Sequence, residues 1–136
     1  MSQFARLHQE FEDVTGLSKR LNQALLILKR AIGHIEPIPD ARRQEDAKKD
    51  ISDILRFLLE KTESGPRRSW TGSILDEISK VRRRSNEETR GELQTCLIRT
   101  GESPNQVGAD DLQLLDQIGT ALDQSSAALY RELIHP

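Results

Sequence analysis

The N-terminal quarter of this chain repeats an apolar residue every three or four positions for more than four heptads. Phe4, Leu7, Phe11, Val14, Ser18, Leu21, Leu25, Leu28, Ile32 and Ile35 follow one another in alternating steps of 3 and 4. Such steps put every member on one side of an α-helix and match a coiled-coil seam. Ser18 is the one polar member. Gly16 sits beside it, and a helical glycine costs about 1 kcal/mol relative to alanine. The register nevertheless crosses Gly16 without slipping, which an inserted loop would disturb. The spacing therefore predicts one continuous helix over residues 3–35. Leu17, Ala24, Leu26, Ile27 and Ala31 widen the stripe, so its second half should meet more than one neighbour. Glu36-Pro37 ends it, because the residue before proline avoids helical geometry.

Four further helices follow. Pro39-Asp40 offers an N-cap, and a second helix opens at Ala41. Its first half, ARRQEDAKKD, is almost wholly charged, and its second half is apolar through Ala47, Ile51, Ile54 and Leu58, with Leu55 and Leu59 beside them. The charged half should project into solvent or onto a partner. Ser64-Gly65-Pro66 is a stop signal. A third helix spans about Ser69 to Arg84, with Trp70, Ile74, Ile78 and Val81 on one face and three arginines in its last turn. Ser85 with Glu88 fits a capping box that opens a short fourth helix ending at Gly101. A fifth helix begins near Ala109. Leu112, Leu115, Gly119, Leu122, Ser126, Leu129 and Leu133 give it a second heptad line, whose small members permit close approach of another helix. No segment alternates like a strand, and no internal repeat is evident.

These elements predict a single all-α domain over residues 1–136, an elongated helical bundle of about five helices, three long and two short, with a coiled-coil-like first helix. A 33-residue helix is roughly 50 Å long, whereas a compact chain of this size is roughly 37 Å across. The first helix must then run the length of an elongated bundle or protrude and pair with another chain.

The chain is 31% charged with a net charge of −2, unevenly spread. Residues 61–100 hold nine basic and six acidic side chains, and residues 101–136 hold one basic and six acidic. The basic middle and acidic end should attract each other, within the bundle or between subunits. No apolar run reaches the ~20 residues that span a bilayer, and the N-terminus has no signal-peptide pattern. With a single cysteine, Cys96, the expectation is a reducing, intracellular, cytoplasmic setting and no internal disulfide.

The residues offer little for catalysis. A carboxylate-bridged metal bundle needs two Glu-x-x-His pairs, and this chain has one, Glu132 with His135, in its last turn. Cys96 lies on an apolar helical face without an assignable base, and no phosphate-loop or hydrolase motif occurs. The expectation is no enzyme, no cofactor and no metal. The leading function is a protein–protein interaction module, an adaptor, assembly factor or regulatory subunit, that binds itself or a protein partner. Phe4, Leu7, Phe11 and Val14 on the first helix, then Arg42, Arg43, Lys48 and Lys49 on the second, are the candidate interface. The rival is a nucleic-acid-binding subunit that contacts phosphates, or an acidic partner, through Arg67, Arg68, Lys80, Arg82, Arg83 and Arg84. The net acidity and the scarcity of aromatics argue against it.

Overall fold

The computed structural model describes residues 3–63, 70–102 and 106–135. Among these residues the fold consists of five helices: α1 (Gln3–Gly33), α2 (Ala41–Lys61), α3 (Trp70–Arg82), α4 (Asn86–Gly101) and α5 (Ala109–Ile134). There is no strand among the described residues. Three helices are long and two are short, as the periodicity predicts.

Helix α1 passes through Gly16 unbroken. At 31 residues it is about 46 Å long, which makes the bundle elongated. Helix α5 runs antiparallel beside it. Phe11 meets Tyr130, Thr15 meets Ser126, Ser18 meets Asp123 and Lys29 meets Asp116, so residue numbers rise along one helix as they fall along the other. Helix α2 covers a second side of α1, held at its rim by Arg20 to Asp50 at 2.9 Å. The wider stripe in the second half of α1 thus faces two neighbours. Helices α3 and α4 form a hairpin that closes the remaining side against α5 and α2. The core they share is aliphatic: Leu21, Leu28, Ile51, Leu55, Ile78, Leu93, Leu115 and Ile118 are all essentially inaccessible to solvent.

The two seams pack as their spacing requires. Val14, Leu21, Leu25 and Leu28 are buried on α1, and Leu115, Gly119, Leu122 and Leu129 on α5. The small residue at Gly119 does bring the helices close, since a Cβ there would stand 3.1 Å from Oδ1 of Asn22. The polar seam position is satisfied: the Ser18 hydroxyl donates to the Asp123 carboxylate and accepts from Asn22.

The ends of the helices refine the sequence reading. Asp40 caps α2 by accepting the Arg43 N–H at 2.8 Å. Ser85 and Glu88 make the reciprocal capping box, both bonds at 3.1 Å. Helix α1 stops at Gly33 rather than at residue 35. His34 takes a left-handed conformation (φ 52°), which lets the Ile35 N–H reach back to the Arg30 carbonyl. Helix α3 stops the same way at Arg82, not Arg84. Arg83 is left-handed (φ 56°) and the Arg84 N–H bonds the Ser79 carbonyl. Only Arg82 of the three arginines is therefore helical. Helix α2 ends at Lys61, where Arg90 from α4 donates to the Leu59 carbonyl and to Thr62. The Ser64-Gly65-Pro66 stop lies outside the described residues.

Candidate interaction surface

The expected interface on α1 divides along its length. Phe4 is 62% exposed, Leu7 and Phe11 are half-buried, and Val14 is completely buried. Phe11 packs its ring 5.9 Å from that of Tyr130, and Phe4 stacks over His8. Val14 therefore belongs to the core of its own chain. The antiparallel register sets Phe4 and Leu7 opposite the last turn of α5. There Tyr130 is 51% exposed and Ile134 49%. One end of the bundle thus carries exposed aromatic and aliphatic side chains from both helices.

The basic residues of α2 also divide. Arg42, Arg43 and Lys49 are exposed. Lys48 is buried, and its ammonium donates to the Glu102 carbonyl at the end of α4 and to Glu45 at 3.3 Å. A cation at a helix C-terminus is favourable, so Lys48 ties α2 to α4 rather than facing a partner.

The basic stretch comes apart more thoroughly. Arg82 points inward, with Nε 2.5 Å from Glu92, Nη1 2.7 Å from Gln117 and Nη2 3.2 Å from Asp110. Burial works against its charge, but the bonds to Glu92 and Asp110 outweigh that and hold its pKa above the ordinary value. Arg84 shares Glu92 at 3.2 Å. Lys80 and Arg83 remain exposed and have no ion pair among the described residues, while Arg67 and Arg68 lie outside the described residues. The six cations thus do not make one free basic surface. Arg82 and Arg84 are committed to the chain itself, with Arg99 bound to the buried Asp111 at 3.1 Å in the same manner. The attraction between the basic middle and the acidic end is realised within one chain.

Val81, expected on the buried face of α3, is 56% exposed. The last turn of α3 directs Arg82 inward in its place. Trp70 is half-buried and stacks 5.9 Å from Phe57, so it does anchor α3 to α2. Its other side borders a groove that periodicity alone does not reveal. The groove has a volume of about 790 Å³ and lies between α1 and α3, floored by α5. The signal that points to it is the row Ala121, Ser125, Ala128 on α5, small residues beside the heptad line.

Cys96 is buried, and desolvation raises its thiol pKa to about 11. His8 lies 3.6 Å from Glu12 on an exposed face. No group of three or more metal-ligating side chains occurs among the described residues, and no helix there is long and apolar enough to cross a membrane. Comparison with known proteins finds no matching family model, no matching curated protein and no matching solved structure.

Proposed function

We propose that this chain is a non-enzymatic protein-interaction module, an adaptor, assembly factor or regulatory subunit that works inside the cell. It binds a protein partner or a second copy through the end of the bundle where α1 begins and α5 ends. The observation that carries this reading is that Phe4, Tyr130 and Ile134 are all exposed at the end of the bundle where α1 begins and α5 ends. Large apolar side chains grouped on a surface are what docking sites consist of. The chemistry of the remaining side chains supports the same reading. The one thiol is buried and neutral, and the buried Lys48 and Asp111 and the half-buried Arg82 are each engaged in internal bonds. Against nucleic-acid binding stands Arg82, the centre of the basic stretch, which is directed into the bundle.

The test is Phe4→Asp combined with Ile134→Asp. Both positions are exposed, so the double variant should keep its helix content. Sedimentation mass across a concentration series, and recovery of partners from the native cell, should both be compared with the parent. Loss of self-association or of a specific partner is expected. A folded variant with the parent's mass and the parent's partners refutes the proposal.

A further inference from the structure

We infer that the groove between α1 and α3 receives an amphipathic helix of a partner protein, one flanked by lysine or arginine. This rests on the interaction-module reading and names the chemistry of the partner. Three features carry it. The groove is lined by both polar and apolar side chains, with Leu7, Trp70 and Ile74 on the walls and Leu129 on the floor as its large apolar members. The floor also carries Gln124 and Glu132, and its small residues Ala121, Ser125 and Ala128 stand about one turn apart. Small side chains there let a helix lie close, at the 8–10 Å or so between axes that helix packing uses. From Ala121 to Glu132 the floor extends about 16 Å, room for three turns.

The rim supplies the charge argument. Glu10 from α1, Glu77 from α3 and Glu132 from α5 border the groove, against Arg6 as its one cation among the described residues. None of the three carboxylates has an ion pair among the described residues. Several carboxylates between packed helices are matched by bases: Glu92 by Arg82 and Arg84, Asp111 by Arg99, Asp50 by Arg20. An apolar helix with basic flanks completes the rim in the same way.

The secondary structure of the occupant follows from the walls. All three are helices whose backbone groups already bond within themselves. An extended peptide would bring backbone N–H and C=O groups into the groove without partners, whereas a helix satisfies its own. A second copy of this chain is a poor occupant. Its basic helix segment, at the start of α2, has its apolar positions Ala47 and Ile51 buried in its own core.

The test uses the full chain and a displayed library of alanine-based helical peptides about sixteen residues long, roughly 24 Å. Four positions on one face vary among Ala, Leu, Ile and Phe, and four flanking positions vary among Lys, Glu and Ser. Enrichment of an apolar stripe with lysine flanks is expected. Ala128→Arg places a long side chain on the floor at an exposed helical position, and should weaken the selected peptides by about tenfold or more. Glu77→Lys with Glu132→Lys should shift selection toward glutamate flanks. No enrichment, or enrichment indifferent to all three substitutions, overturns the inference. So does a fall in the solution mass of the parent on Ala128→Arg, which would make a second copy the occupant. If partner recovery is lost with Phe4→Asp/Ile134→Asp but survives Ala128→Arg, the module reading stands and the groove inference fails.

Discussion

Replacing Arg82 with methionine separates structure from recognition in the basic stretch. Methionine keeps most of the aliphatic stem and removes only the guanidinium. The side chain of Arg82 is 9% exposed, so its bonds are largely shielded from water. The contact with Asp110 is the least valuable, since that carboxylate is 68% exposed, and such a pair contributes about 0.5 kcal/mol. The bond to Glu92, which is 26% exposed, contributes about 1.5 kcal/mol as a charged hydrogen bond. Glu92 keeps Arg84 at 3.2 Å, so it is not orphaned, and the 3–5 kcal/mol or so of a stranded buried charge does not apply. Gln117 loses a donor at 2.7 Å, for about 1 kcal/mol more. The expected loss is about 3 kcal/mol. For 136 residues the unfolding entropy is about 0.29 kcal/mol per degree, so Tm should fall by about 10 °C. Urea unfolding followed by circular dichroism measures the first figure, and a thermal scan the second. Lys80→Ala and Arg83→Ala, at exposed sites, should each stay within about 0.5 kcal/mol of the parent. A loss below about 0.5 kcal/mol for Arg82→Met would refute the internal assignment of this arginine and restore the stretch as a free basic surface.

Other substitutions test the fold at single points. Gly16→Ala should stabilise by about 1 kcal/mol in urea, because the helix is continuous there and no atom stands within 4 Å of the added Cβ; a destabilised variant would mean that the helix breaks at Gly16. Ser85→Ala should cost about 1 kcal/mol by removing the acceptor for the Glu88 N–H. Glu88 adds a pH signature, since the backbone bond from Ser85 holds its pKa below the ordinary 4.5. Its contribution is present above pH 4.5 and is lost as pH falls through the depressed folded value, so the Glu88→Gln variant and the parent should converge in stability under acid. Cys96, with its thiol at about 11, should resist alkylation by iodoacetamide at pH 8 until the chain unfolds; labelling at a free-thiol rate in the folded state would contradict its burial.

How much of this was legible in the sequence depends on whether a residue acts through period or through partner. The seams of α1 and α5 were legible because burial on a helix repeats with the helix, and Leu21, Leu25, Leu115 and Leu122 had only to be counted, although Val14 on the same line was expected to face a partner. Caps were legible where a short motif contains both partners, as at Ser85 and Glu88. The stops at Gly33 and Arg82 were not, because they depend on His34 and Arg83 adopting a backbone conformation that favours glycine. The fates of Lys48 and Arg82 were hidden for another reason. Each finds a partner outside its own helix, 54 residues away for Lys48 and the Glu102 carbonyl, and nothing in local spacing records that. The groove was hidden because it is made by three elements, of which the sequence showed only the small residues of one.

The polar members of the two seams are where both kinds of information meet. Ser18 and Ser126 interrupt otherwise apolar lines, and their spacing alone gives them no partner. In the bundle Ser18 bonds Asp123, while Thr15 and Ser126 share a hydrogen bond of 2.9 Å. These contacts lie on one polar layer between α1 and α5. Sliding α5 by one turn would part Asp123 from Ser18 and Ser126 from Thr15, breaking both hydrogen bonds. It would also move Gly119 away from Asn22, where no larger residue fits without displacement. Leucine at these positions would strengthen the seam and weaken its register, the same exchange that a buried polar residue makes in a coiled coil. The register in turn decides which turn of α5 lies beside Phe4 and Leu7, and whether Ala121, Ser125 and Ala128 line up beneath the gap between α1 and α3. The interruptions in the seams therefore hold in place the surface on which the proposed function depends.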